Sequence, residues 1–135
     1  MTHPTVFPTV DVIIRKNGKL LPGRKASQQK FRFVGGFADS ALDNSYEDAA
    51  IREAKEEISL DVHAVNYLGS TRIADPRYRG TENCIITHLF LAEDWSGEPT
   101  ASDDIAEVKW FDESTLSEGD FVDEHHVLWR MYKLQ

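Results

Sequence analysis

Between Ser45 and Ser59 the apolar residues recur with the period of a helix, while on both sides they alternate or run in short blocks bounded by turn residues. That switch of period constrains the fold more than any other feature. A lone amphipathic helix set among strands has to bury its apolar face on a sheet. VFPTVDVII, Val6 to Ile14, alternates around Val10, Val12 and Ile14 and reads as a strand. Asn17-Gly18 is a hairpin turn signal, and the strand resumes at Lys19-Leu20-Leu21. A third short strand, Phe31 to Val34, is closed by Gly35-Gly36, and a turn-rich loop, Asp39 to Asn44, leads into the helix. Ser45 with Asp48 three residues on resembles a capping box with Asp in place of Glu.

Val62 to Ile73 reads as one long strand or a pair broken at Gly69, and Asp75 to Asn83 as a loop. Cys84 to Ala92 is the strongest strand, Trp95 to Asp104 is loop, and Glu107 to Phe111 is a short strand. Glu124 to Leu134 predicts a terminal helix with Val127, Leu128, Met131 and Leu134 on its apolar face. Several strands with one central and one terminal helix give a mixed α/β sandwich. At 135 residues the chain is the size of one domain, taken as 1–135.

The net charge of −8 argues against a basic nucleic-acid surface. It does not argue against an anionic substrate, because a bound cation reverses the local sign. A single cysteine, Cys84, excludes an internal disulfide. No apolar stretch approaches the roughly 18 residues of a membrane span, and no leader pattern opens the chain. A soluble cytoplasmic protein is expected.

The helix carries REAKEE, Arg52 to Glu57. On a helical wheel Ala50, Ile51, Ala54 and Ile58 share the core face, and Glu53, Glu56 and Glu57 fall opposite. Carboxylates three and four apart repel, so solvent or a cation must compensate. Solvent suffices for three glutamates alone. Converging hard oxygens suit Mg²⁺ or Mn²⁺ rather than zinc. Arg52 is placed to hold a carboxylate by a bidentate contact. Gly35-Gly36, just upstream, lets backbone approach a ligand closely.

Gly36 to Leu60, GFADSALDNSYEDAAIREAKEEISL, resembles the signature of the Nudix hydrolase family: Gly, five residues, Glu, seven residues, then Arg-Glu-apolar-x-Glu-Glu-x-Gly-apolar. The second half is intact at Arg52, Glu53, Glu56 and Glu57. Asn44 stands where the family has its early Glu, the loop from Gly36 is two residues longer, and Ser59 replaces the late Gly. In the family that early Glu supports the arginine, so Asp43, Glu47 or Asp48 is a candidate substitute. The resemblance implies an α/β/α sandwich with a mixed sheet, and hydrolysis of a nucleoside diphosphate linked to another group. It implies that Glu53 and Glu57 bind the principal metal, Mg²⁺ or Mn²⁺, with Glu56 a ligand or proton acceptor. The Gly35 carbonyl is a further implied ligand. A divalent ion neutralises a diphosphate and acidifies bound water, and a carboxylate can take the proton. In some branches the base lies on a later loop, where Asp103, Asp104 and Glu107 are the candidates and Glu82 a weaker one; for each, a solvated acid is the simpler alternative.

Two segments bear on the substrate. Arg24 and Lys25 end a strand facing the Gly-Gly loop, where phosphate contacts are expected. DPRYRG, Asp75 to Gly80, followed by a strand, SDDIAEVKWF and DEHH, looks like the Nudix domain fused in some bacteria to nicotinamide mononucleotide adenylyltransferase. No adenylyltransferase segment is present in these residues. That likeness implies ADP-ribose as substrate, cleaved to AMP and ribose 5-phosphate. Arg77 and Arg79 would then grip phosphate and Tyr78 stack on adenine; a polar surface loop with Tyr78 on the sheet is the plain alternative. The likeness also allows a homodimer. The competing expectations are a broader hydrolase of dinucleoside polyphosphates, NADH-like dinucleotides or damaged nucleoside triphosphates, and a nucleotide-sensing module that binds without cleaving. His63, His88, His125 and His126 are expected to pack or cap, and Trp95, Trp110 and Trp129 to serve the core.

Overall fold

The computed structural model describes residues 3–135. Its strands are β1 (Val6–Lys16), β2 (Lys19–Leu20), β3 (Gly23–Lys25), β4 (Val34–Phe37), β5 (Asp61–Ile73), β6 (Cys84–Ser96), β7 (Ile105–Val108) and β8 (Phe111–Asp112). The helices are α1 (Tyr46–Ile58) and α2 (His126–Lys133). β1 is the centre of the main sheet. It pairs in parallel with β6, and on its other edge antiparallel with β4 through Thr9 to Val12 and with β2 through Arg15 and Lys16. β5 lies antiparallel outside β6, β8 outside β2, and β3 pairs with β7 in a separate two-stranded ribbon.

The alternation along β1 separates two cores. Val10, Val12 and Ile14 face α1, joining Ala50, Ala54, Ile58 and Phe90. Ile13 faces the opposite side, with Phe33, Leu89, Phe121, Leu128 and Trp129 beneath α2. A mixed sheet clad by a helix on each face is the α/β/α sandwich expected from the sequence.

Several boundaries differ from the sequence reading. Gly35 and Gly36 lie inside β4, not after it, because β1 supplies the ladder partners Asp11 and Val10. β5 is one strand that stays paired to β6 across Gly69, where the register shifts and φ is 143°. β6 continues through Trp95 to Ser96, which the sequence reading placed in a loop. The short strand expected at Glu107 to Phe111 is two, β7 and β8, with different partners. A 3₁₀ turn, Asp123–His125, precedes α2. The buried face of α2 is Leu128, Trp129 and Tyr132, while Leu134 is 85% exposed beyond the last turn. Trp95 and Trp110 stack, with ring centroids 5.7 Å apart.

No helix among the described residues is long and apolar enough to cross a membrane.

Candidate functional site

The site is built around α1. Ser45 caps the helix, its hydroxyl accepting the Asp48 N–H at 3.0 Å. The reciprocal bond of a capping box is displaced by one residue, since the Asp48 carboxylate accepts the N–H of Asn44 instead. At the other end Ser59 takes a left-handed conformation, φ 63°, and its N–H returns to the Lys55 carbonyl. The next carbonyls outward are satisfied by the 100–102 loop: Thr100 N–H bonds Ile58 O, Ser102 N–H bonds Glu57 O, and the Ser102 hydroxyl bonds Glu56 O. This attachment carries Asp104 to the pocket described below.

Arg52 holds the loop and the helix together. Its Nε donates to Asp43 Oδ1 at 2.9 Å and Nη2 to Asp43 Oδ2 at 2.7 Å, a bidentate pair. Nη2 also reaches the Phe37 carbonyl, and Nη1 bonds Glu53 and Glu56. Of the three acids considered in place of the early Glu, Asp43 is the one that takes the arginine. The longer loop curls so that Asp43 N–H meets the Asp39 carbonyl and the Asp43 carboxylate accepts the Asp39 N–H. Arg52 keeps Asp43 ionised below the usual carboxylate range.

The three glutamates do not share one solvent face. Glu53 is buried, 8% exposed, beneath β4. The wheel places it opposite the core, but β4 passes over that side of the helix. A Cβ on Gly36 would stand 2.7 Å from the Glu53 carboxyl carbon, so glycine is what admits the carboxylate there. Ile51, expected in the core, is half-buried. Glu56 is exposed and turned toward Arg52. Glu57 lies beside β4, where Gly35 lines the same pocket and its backbone lowers the Glu57 carboxyl against the effect of burial. A Cβ on Gly35 would lie 1.9 Å from the Val10 carbonyl oxygen, so strand pairing with β1 also requires the glycine.

Beside Glu57 a cavity of about 230 Å³ is bounded by Asp11, Gly35 and Gly36 on one side and Lys25, Arg32 and His125 on another. Asp104, Phe37, Asp75 and Arg77 complete its rim. Asp11 is buried at mid-β1, accepts the Thr87 hydroxyl at 2.6 Å and lies 3.5 Å from His125 Nε2. Burial is the main cause that pushes Asp11 up to about 7 and Glu57 up to about 8; Glu53 is also raised by burial, against the pull of Arg52. Glu53 and Asp11 raise Glu57 further. His125 is buried, accepts the Phe33 N–H at Nδ1, and is held neutral by desolvation and by the charges of Arg32 and Lys25.

Among the described residues no three acid, His or Cys side chains converge as they stand on one ion-binding point. The donor chemistry nonetheless fits a hard divalent cation: oxygens alone, from Glu53, Glu56 and Glu57 on one helix, with Glu53 and Glu57 raised first by burial and then by neighbouring carboxylates.

Other residues singled out in the sequence have different placements. Arg24 and Glu107 bond each other at 3.0 Å across the β3–β7 ribbon, and neither lines the cavity. Arg77 lines the pocket but forms two bonds with Asp75, and its guanidinium lies over the Phe37 ring. Tyr78 stacks on Phe7, ring centroids 5.1 Å apart, which is the sheet-packing alternative, and Arg79 is exposed away from the cavity. Asp104 and Lys25 do line it. Asp11, Arg32 and the pocket role of His125 were not singled out in the sequence. A charged residue inside an apolar strand (VDVII) and an arginine between two phenylalanines (FRF) were the available signals.

The family model of the NUDIX domain matches residues 6–131. The chain is 36% identical over 117 residues to an ADP-ribose pyrophosphatase of Methanocaldococcus jannaschii, covering 84% of this chain and 65% of the relative. It is 28% identical over 120 residues to the NAD-capped RNA hydrolase NudC of Vibrio atlanticus, covering 84% of this chain and 40% of that one. The chain therefore spans less than two thirds of the length of these curated relatives. Among solved structures it superposes with a TM-score of 0.68 on a bifunctional NMN adenylyltransferase/ADP ribose pyrophosphatase from Francisella tularensis, complexed with AMP and a manganese ion. That match has 20% identity and covers 99% of this chain and 43% of that one.

Proposed function

Because this chain belongs to the NUDIX domain family, we propose that it is a pyrophosphohydrolase, dependent on Mg²⁺ or Mn²⁺, acting on nucleoside diphosphate derivatives. ADP-ribose, cleaved to AMP and ribose 5-phosphate, is the preferred substrate in this reading. The observation that carries it is the carboxylate set of α1, with Glu53 and Glu56 braced by Arg52 and Glu57 lining a cavity that Lys25 and Arg32 also line. Similarity to the Methanocaldococcus ADP-ribose pyrophosphatase supports the substrate.

Glu53, Glu56 and Glu57 would hold the cation, which supplies charge neutralisation at the diphosphate and acidification of water. The protein's own groups do the rest. Arg52 fixes Glu53 and Glu56, so their oxygens need no reordering when the substrate enters. Lys25 offsets substrate charge from the opposite wall. Glu56, exposed on α1, or Asp104 on the loop tied to α1, would take the water's proton. Gly36 leaves room for the Glu53 carboxylate under β4, and Gly35 lets β4 pair closely with β1 beside it. We read the chain as one cytoplasmic domain acting on a small nucleotide; its net charge of −8 supports that over a nucleic-acid surface.

A second reading, cleavage of NADH-like dinucleotides, is favoured by the likeness to the Vibrio enzyme. One panel of ADP-ribose, ADP-glucose, NADH, diadenosine polyphosphates and nucleoside triphosphates, assayed for AMP release with Mg²⁺ and with Mn²⁺, separates the two. Selective turnover of ADP-ribose is expected. Glu57→Gln is expected to lower kcat by roughly a hundredfold or more. Unchanged turnover in that variant refutes the assignment of these carboxylates.

A further inference from the structure

The cationic wall of the cavity contains an arginine that no carboxylate bonds, although Asp11 and Glu57 feel its charge from beyond ion-pair distance. Arg24 is bonded to Glu107, Arg52 to Asp43 and Arg77 to Asp75. No carboxylate among the described residues forms an ion pair with Arg32. Among the described residues its guanidinium has one partner at hydrogen-bond distance, His125 Nε2 at 3.5 Å. Since His125 Nδ1 accepts the Phe33 N–H, the proton of the neutral ring sits on Nε2, which therefore cannot accept from Arg32. The guanidinium faces the cavity with its donor fork unused.

Arg32 is also held in place before any ligand arrives. Its N–H and C=O bond Gly23 at 2.7 and 2.9 Å. The flanking rings point the other way: Phe33 onto Phe121, centroids 4.8 Å apart, and Phe31 onto Phe111 at 5.0 Å. With the rings on either side packed elsewhere, Arg32 lies on the cavity wall. Lys25, half-buried on the neighbouring β3, lines the same wall. A half-buried fork with unsatisfied donors beside an ammonium matches a phosphate group bearing two or three oxygens.

We infer that Arg32 and Lys25 form an oxyanion subsite for the second phosphate of a diphosphate-bridged substrate, while the first lies at the glutamates. This rests on the proposed hydrolysis of such a substrate. It assigns the phosphate grip to Arg32, not to Arg24.

The test is calorimetric titration of the Mg²⁺-loaded protein with ADP and with inorganic pyrophosphate, together with steady-state kinetics on ADP-ribose. Arg32→Gln is expected to weaken both ligands, and to raise KM, by roughly tenfold or more, the effect of losing one charge-assisted contact. Arg32→Lys keeps the charge but loses the fork and is expected to fall between. Arg130→Gln removes the same charge from an exposed pair with Glu118 and is expected to change nothing. Lys25→Gln gives an independent reading of the same wall should Arg32→Gln fold poorly. ADP affinity within twofold of wild type in both Arg32→Gln and Lys25→Gln overturns the subsite. If those variants leave ADP-ribose turnover and KM intact, the subsite falls and the hydrolase reading stands. If wild type binds ADP through Arg32 yet cleaves nothing in the panel, the subsite stands and the hydrolase reading falls. A wild-type protein that binds neither ligand refutes the subsite, while AMP release from the substrate panel decides the hydrolase reading.

Discussion

Replacing Asp43 with Asn removes the charge that Arg52 binds while keeping the side-chain shape. The pair is short, bidentate and largely shielded, with side-chain exposures of 19% for Arg52 and 5% for Asp43. Hydrogen bonds to charged groups contribute about 1.5–3 kcal/mol each. Arg52 would keep Glu53, Glu56 and the Phe37 carbonyl, so both bonds are not lost in full. The expected cost is about 2–3 kcal/mol, which for a domain of this size lowers Tm by roughly 6–15 °C. The assay is thermal unfolding by circular dichroism on wild type, Asp43→Asn, Arg52→Met and the double variant. A coupling of about 1.5 kcal/mol or more is expected between the two positions. The pair also has a pH signature. Asp43 is depressed in the fold, so its contribution is present above its ordinary value of 3.8 and is lost as pH falls through that region. Because Arg52 also braces Glu53 and Glu56, kcat is expected to fall at least about tenfold with little change in KM. Strict additivity of the two single variants, or a coupling below about 0.5 kcal/mol, refutes the view that Asp43 replaces the early Glu of the family pattern.

Gly36→Ala drives a Cβ against the Glu53 carboxylate; about 1–3 kcal/mol of stability and roughly tenfold or more of activity should be lost, and retained activity would mean Glu53 is not held where β4 places it. Asp11 and Glu57 are raised to about 7 and about 8, so the folded state prefers them protonated: without metal, stability is full near pH 4 and is lost as pH rises through 7 to 8. Thermal melts without metal between pH 6 and 8.5 should therefore fall in Tm, Asp11→Asn should flatten the trend, and Mg²⁺ should stabilise more at pH 8.5 than at pH 6; a flat wild-type profile contradicts the charge surplus. Ser59→Gly relieves a left-handed residue at the end of α1 and should raise stability by about 0.5–1 kcal/mol with activity unchanged, read from the same melts.

The sequence by itself determined the elements whose cause is local. The change of apolar period between Ser45 and Ser59 marks α1 to within one residue at each end, because helix amphipathicity and a serine cap are properties of contiguous residues. The spacing of Arg52, Glu53, Glu56 and Glu57 was legible for the same reason. Tertiary structure decided what depended on partners distant in the chain. Whether Gly35-Gly36 ends a strand or lies within one depends on β1, some 25 residues upstream. Which face of Glu53 is solvent depends on where β4 crosses α1. Arg24 and Arg32 look equivalent in sequence; Glu107 neutralises one and no carboxylate meets the other, and that difference exists only once β3 and β7 pair. Asp11, Thr87 and His125 lie far apart in the chain and meet only because β1, β6 and the turn before α2 share one end of the sandwich. Periodicity fixes which way a side chain points relative to its neighbours in sequence. It carries no information about the charge that will stand opposite.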